Sequence, residues 1–169
     1  MAVVGAPFDD ELATRAGSVY VLGWSGMQWV EQAKLFAEDA ADGVVFGWSV
    51  AISPKGDTII VGRADNTGAA YIFDQSNAND WVNTKKLLPS AEKLAEGPTG
   101  FGSSVGISDD GNAVIVGAPS EDKFSFGECK QCFYTRGAAY IFDRNNVDWL
   151  QTIRLIPANL EPESFKLPQ

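Results

Sequence analysis

Gly137-Ala138-Ala139-Tyr140-Ile141-Phe142 is one short run that this chain states three times; Gly68-Ala69-Ala70-Tyr71-Ile72-Phe73 and Gly17-Ser18-Val19-Tyr20-Val21 are the others. Upstream of each stands an apolar, largely β-branched run closed by glycine: Val114-Ile115-Val116-Gly117, Ile59-Ile60-Val61-Gly62 and Ala2-Val3-Val4-Gly5. Downstream of each tyrosine stands a tryptophan (Trp149, Trp81, Trp29), and at a fixed spacing beyond it a basic residue followed by leucine: Arg154-Leu155, Lys86-Leu87 and Lys34-Leu35. Phe101-Gly102 and Phe46-Gly47 precede their Val-Gly glycines by the same distance. Shared runs at kept spacing, separated by loops of unequal length, mark a supersecondary unit repeated about every 55 residues.

Each unit reads as four short strands. Ser49-Val50-Ala51-Ile52-Ser53 and Thr58-Ile59-Ile60-Val61 flank Pro54-Lys55-Gly56-Asp57, whose turn chemistry predicts a hairpin. Ala69 to Phe73 gives a third strand, and Trp81 to Leu88 a fourth. The first three are apolar on both faces, as a sheet sandwiched between two others requires. Asn83, Thr84, Lys85 and Lys86 suit the fourth to a partly solvated outer edge. Ser90 to Glu96 offers a turn or two of helix, closed by Gly97-Pro98. The expected fold is all-β: blades of four antiparallel strands, about 2.75 blades and about 11 strands, from a larger β-propeller. The blocks are 1–45 (a partial blade of three strands and its connection), 46–100 (a complete blade and its connection), 101–156 (a complete blade with an insertion at 120–136) and a tail, 157–169.

The chain has 169 residues, 45% of them apolar and 21% charged, with a formal charge of −9 and no histidine. That is an ordinary globular composition. It lacks the basic stripe that nucleic-acid binding needs, and imidazole catalysis and histidine-ligated metal are excluded. No apolar run reaches the length of a membrane span, and no signal peptide precedes Ala2. The chain opens inside its own motif, which predicts a piece of a larger protein rather than a protomer completed by association.

Phe-Gly opening a first strand and Gly-Ala-Pro closing a second resemble the FG-GAP repeat of integrin α subunits. The motif stands here as Phe101-Gly102 with Gly117-Ala118-Pro119, nearly intact as Phe46-Gly47 with Gly62-Arg63-Ala64, and half present as Gly5-Ala6-Pro7. The flanking Tyr, Trp and Lys-Leu patterns are similar to those of microbial and algal surface proteins. The resemblance implies a seven-bladed propeller, extracellular or surface-exposed, that serves adhesion or other protein binding. In one respect the chain departs from it. Integrin-type repeats carry a calcium loop between the first two strands, whereas Pro54-Lys55-Gly56-Asp57 and Asp109-Asp110-Gly111-Asn112 are too short to supply six to eight oxygen ligands. No calcium, other metal or cofactor is expected.

The resemblance also implies a binding face built from the loops between second and third strands and the connections between blades. The candidates on it are Phe8, Asp9, Asp10, Asp65, Asn66, Phe124, Phe126, Phe133 and Tyr134. Several such loops are acidic, through Asp9, Asp10 and Glu11, through Glu38, Asp39 and Asp42, and through Glu121 and Asp122. They read either as a negative face for a basic partner or as ordinary solvated loops. The insertion at 120–136 holds Cys129-Lys130-Gln131-Cys132. A disulfide, implying an oxidising compartment, ranks ahead of a thiol redox pair and of a zinc half-site that lacks two ligands. The insertion's aromatics fit a partner contact or the loop's own small core. Trp29, Trp81 and Trp149 read as packing between blades rather than as sugar-stacking platforms, and the stems of Lys34, Lys86 and Arg154 as cover for apolar surface. No catalytic constellation is present. The function expected is a non-catalytic interaction module with a protein partner or self-association; the alternatives are a carbohydrate-binding propeller and a structural subunit packed by its strand edges.

Overall fold

The computed structural model describes residues 1–77, 80–95, 97–121, 123–125, 133–146 and 148–157. In chain order these form strands β1 (Ala2–Ala6), β2 (Ser18–Trp24), β3 (Trp29–Leu35), β4 (Phe46–Ile52), β5 (Thr58–Arg63), β6 (Ala69–Asn77) and β7 (Asp80–Leu87). After a short helix α1 (Ala91–Ala95) come β8 (Ser104–Ile107), β9 (Ala113–Ala118), β10 (Lys123–Ser125), β11 (Phe133–Thr135), β12 (Ala138–Asn145) and β13 (Asp148–Leu155). No described helix is long and apolar enough to cross a membrane.

The architecture is all-β. A first sheet has the order β1-β2-β3, a middle sheet β4-β5-β6-β7 and a third sheet β8-β9-β12-β13, with β10 and β11 paired as a separate ribbon. All their pairings are antiparallel. The sheets are propeller blades, and the repeat is visible even in their irregularities. The pairing of the last two strands slips by one residue just after the shared tyrosine, at Val21/Leu22, Ile72/Phe73 and Ile141/Phe142. A bulge there bends the outer strand and increases local twist.

Two apolar cores lie between the three sheets. One joins Val19, Val21 and Leu35 of the first sheet to Phe46, Ile59, Val61, Tyr71 and Phe73 of the middle sheet. The other joins Ile60, Ala70, Ile72 and Leu87 of the middle sheet to Phe101, Val114, Val116, Tyr140, Phe142 and Trp149. Strand β5 is buried along its whole length because its alternating side chains feed both cores. Phe46 and Phe101 are the pins. Each is fully buried, and each meets a tyrosine and a phenylalanine of its own sheet edge-on, at 5.3 and 6.0 Å for Phe46 and at 5.2 and 6.2 Å for Phe101.

The glycine beside each pin lets two sheets touch through their backbones. Gly47 and Gly102 have φ of 87° and 88°, where a side chain is strained. A Cβ on Gly5 would fall 2.0 Å from the carbonyl oxygen of Gly47, and one on Gly62 would fall 2.0 Å from that of Gly102. Phe-Gly of one sheet therefore keys into Val-Gly of the sheet before it. Ser49 Oγ completes the joint by donating to the Gly102 carbonyl at 2.9 Å.

The hairpins at 53–58 and 108–113 close in the same way. Ser53 Oγ and Ser108 Oγ accept the backbone N–H of Thr58 and Ala113, and donate to Asp57 and Asp110. A polar seam runs between the middle and third sheets. Arg144 reaches Asp74 at 2.6 Å while lying 4.7 Å over the Trp149 ring, and Lys85 pairs with Asp148.

The repeated tryptophans diverge. Trp149 is buried in the second core and Trp81 packs against the first, but Trp29 is half exposed and meets Trp24 edge-on at 5.5 Å. Packing between blades therefore describes two of the three, because the face of the first sheet that carries Trp29 is open among the described residues.

Candidate functional site

The loops at one end of the sheets carry the acidic residues, and most of those carboxylates are already in use. The shared tyrosine lies directly opposite the shared basic residue on the next strand, pairing Tyr20 with Lys34, Tyr71 with Lys86 and Tyr140 with Arg154. A carboxylate closes each pair into a clamp. In the first sheet Asp9 takes Lys34 at 2.7 Å and Ser18 at 2.9 Å, and Lys34 stands 4.9 Å over the Tyr20 ring. In the third sheet Glu121, fully buried, accepts from Tyr140 at 2.7 Å and from Arg154 Nε at 2.7 Å. In the middle sheet Asp39 accepts from Tyr71 and Lys86, each at 2.6 Å, and from Arg63 at 2.7 Å.

These contacts set the charges. The Lys34 hydrogen bond, helped by the Glu11 backbone N–H and Ser18, holds Asp9 at a pKa of about 2. Burial pushes Asp39 up, but hydrogen bonds from Lys86 and Tyr71 outweigh it and bring the group to about 2. Burial and the Glu121 hydrogen bond raise Tyr140 to about 12. The ammonium of Lys34 is likewise held above its ordinary value by Asp9 and Glu11.

The sequence candidates now separate. Asp9 and Asp65 are not free ligands: Asp9 is clamped, and Asp65 holds the Arg63 guanidinium, Thr67 and the Gly68 N–H. Asp10 accepts the Arg15 N–H at 2.6 Å and so shapes its own loop. Asn66 is exposed, beside a shallow cavity it shares with Thr67, Lys86, Leu88, Gly97 and Pro98. In the ribbon, Phe124 pairs with Tyr134 and Ser125 with Phe133. Phe126, Cys129 and Cys132 lie outside the described residues. Pro119 packs its ring 3.2 Å from where a Cβ on Gly100 would stand, and Gly117 borders the open face of the third sheet.

Among the described aromatic candidates, Phe8 stands exposed. It is 55% exposed and meets Trp48, itself 50% exposed, edge-on at 6.3 Å, with the Arg15 guanidinium 5.0 Å over its ring. The loop beneath is braced against the connection between the first two sheets. Thr14 N–H donates to Asp42, Gly43 N–H to the Thr14 carbonyl and Val45 N–H to the Arg15 carbonyl. Sequence reasoning missed Trp48 and Arg15, although a signal existed. At the matching positions of the next sheet junction stand Asp65 for Phe8 and Ser103 for Trp48, so the aromatic pair is foreign to the repeat.

Together the sheets, their Phe-Gly joints and the clamped loops define blades of a repeat-built propeller. The family model described as FG-GAP repeat matches residues 29–73. The match runs from the last strand of the first sheet through the third strand of the middle sheet. The sequence unit thus straddles the joint that Phe46-Gly47 makes. No curated protein matches the chain.

Proposed function

We propose that the chain is a non-catalytic interaction module that binds a protein partner through the loop surface around Phe8 and Trp48. The observation that carries this reading is an exposed Phe–Trp–Arg cluster where the hydrogen-bonded loop after β1 meets Trp48 of β4. Aromatic and arginine anchors dominate binding energy at protein interfaces, and a preorganised loop loses little entropy when it docks. Leu12 of the same loop is also exposed. Adhesion at a cell surface, or work in another oxidising compartment, is the setting proposed; it rests on the Cys129–Cys132 pair and on the FG-GAP resemblance. The test is a protein array probed with the wild type and with a Phe8→Ser/Trp48→Ser variant of equal thermal stability. Partners lost with the variant support the reading, and identical binding by both proteins removes it.

A second reading has its own observation. Trp24 and Trp29 form an exposed pair beside Met27 at the tip of the β2–β3 hairpin, a surface able to stack on sugar rings. A glycan array whose hits vanish with Trp24→Ala/Trp29→Ala favours a lectin-like function, and an array without hits rules that reading out.

A further inference from the structure

The hairpins joining the last two strands of each sheet occupy the same place in the repeat but differ in chemistry. In the third sheet this hairpin carries Arg144 and Asp148, which hold Asp74 and Lys85 of the middle sheet. The middle sheet's own hairpin carries Asp74 and Asp80. At the positions of Arg144 and Asp148 the first sheet has Trp24 and Gln28, so it holds neither half of such a seam. No charged residue stands between Arg15 and Glu31.

The tip of the β2–β3 hairpin is apolar on both faces and at its end. Met27 is 84% exposed, and nothing lies within 4 Å of where a Cβ on Gly26 would stand. Trp24 lies exposed on one face, edge-on to Trp29. Val30, the next residue along β3, points to the other face and is 42% exposed. Trp81 turns toward the first sheet, so by the shared register Trp29 turns away from the middle sheet and Val30 toward it. The exposure of Met27 and Val30 therefore does not come from the open face that carries Trp29. The tip also closes its own backbone. Ser25 N–H donates to the Gln28 carbonyl at 2.9 Å, and Gln28 N–H donates to Ser25 Oγ at 3.2 Å. A turn closed in this way leaves fewer backbone groups in need of water when it enters an apolar medium.

We infer that the β2–β3 tip inserts into the interfacial layer of an uncharged, zwitterionic lipid bilayer. A sugar uses the tryptophan pair alone and a protein groove uses one face, whereas Met27 at the end and Val30 behind it suit a medium that surrounds the tip. Tryptophan is favoured at the bilayer interface, where its ring meets the acyl chains and its N–H stays near water. Charge selects the lipid. With a net charge of −9 and no cation on the hairpin, the chain has nothing to draw it to an anionic surface. The acidic loop with Asp9, Asp10 and Glu11 joins the opposite end of β2 and stays in water. Asp80 and Asp148 on the neighbouring hairpins limit entry to this one tip.

The test is titration of the 169-residue protein with phosphatidylcholine vesicles, followed by cosedimentation and by tryptophan quenching from brominated acyl chains. Weak, reversible binding with quenching is expected. Met27→Asp should weaken it at least about tenfold, because a carboxylate resists entry. Gln28→Asp, which writes in the third sheet's charge, should do the same, and Met27→Leu should leave binding intact. These side chains are exposed, so the fold persists, as unchanged melting curves would verify. Replacing a part of the phosphatidylcholine by phosphatidylserine should weaken binding at low salt. No sedimentation at about 10 mM lipid overturns the inference, as does binding indifferent to Met27→Asp. Binding strengthened by phosphatidylserine overturns the assignment to an uncharged bilayer. Glycan or protein-array hits that Met27→Asp removes, from a protein that ignores vesicles, assign the tip to that partner and overturn the inference too. Phe8→Ser/Trp48→Ser should bind vesicles as the wild type does, so this inference and the proposed protein-binding surface fail independently.

Discussion

The third sheet and the middle sheet close their Tyr–cation pairs with carboxylates drawn from different places. In the third sheet Glu121 stands four residues after Gly117, and in the first sheet Asp9 stands four residues after Gly5. The middle sheet has Asn66 at that position, exposed and outside the clamp. Its carboxylate is Asp39, reached across from the connection that follows the first sheet, and it comes with a second change. Arg63 replaces the alanine of Gly-Ala-Pro and inserts between Asp39, Asp65 and Tyr71. One geometry thus tolerates two supply routes, provided a cation on the outer strand and a phenol beside it find an anion. The exchange also ties two sheets together, since a local loop contact has become a bond between neighbouring blades.

The three clamps differ in burial and redundancy, and those differences rank what breaking them should do. Glu121→Ala removes the fully buried carboxylate that Arg154 and Tyr140 share. Losing one partner of a buried, hydrogen-bonded pair costs about 3 kcal/mol. Asp39→Ala leaves Arg63 paired with Asp65 and Lys86 within reach of water, so the loss should be about 1 kcal/mol. Asp9→Ala leaves Lys34 with Glu11, and its effect should be smaller still. Urea unfolding of the three variants checks the order, and equal effects would mean that burial does not govern the clamps.

Rewiring the middle sheet sharpens the same comparison. The double variant Arg63→Ala/Asn66→Asp writes the first and third sheets' pattern into the middle one. If position 66 then takes over Lys86 and Tyr71, Asp39→Asn should cost less in this background than in the wild type, by a few tenths of a kcal/mol or more. Such a difference is the coupling a double-mutant cycle reads. An unchanged cost would mean that the Asp39 contact is fixed by the loop's backbone rather than by the competition among anions.

Most of the fold was legible because the repeat states its own spacing. The Gly-x-x-Tyr runs, the Val-Gly glycines and the Phe-Gly pairs mark the strands and the joints between sheets without any long-range inference. The clamps were half legible. Lys34, Lys86 and Arg154 stood out by position, yet their partners were read as a charged surface, since Asp9, Asp39 and Glu121 fall in loops of unequal length. A carboxylate's partner across space has no period in sequence. Trp48 escaped for the opposite reason: it interrupts the repeat, and a search for what recurs passes over what does not. Trp29 shows the limit of the repeat itself, since the same position is buried or exposed according to whether another sheet covers it.

The clamps should also make themselves felt as a pH dependence of stability. Asp9 and Asp39 titrate near 2 in the folded chain, below the roughly 3.9 of an unperturbed aspartate. The unfolded chain therefore binds more protons than the folded one between about pH 4 and pH 2. The stabilisation these groups give is complete above about pH 4 and is lost as pH falls through that window. Tyr140 works at the other end. Its folded value of about 12, against roughly 10 when unfolded, gives a stabilisation present below pH 10 and lost as pH rises toward 12. Urea unfolding followed from pH 2 to pH 12 should show a plateau with both limbs. Asp9→Asn/Asp39→Asn should make the acid limb shallower, whereas Tyr140→Phe should make the alkaline limb shallower without removing it, because burial and Asp39 also hold Tyr71 above its ordinary value. An acid limb unchanged in the double asparagine variant would place the acid sensitivity in other carboxylates and strip the clamps of their electrostatic role.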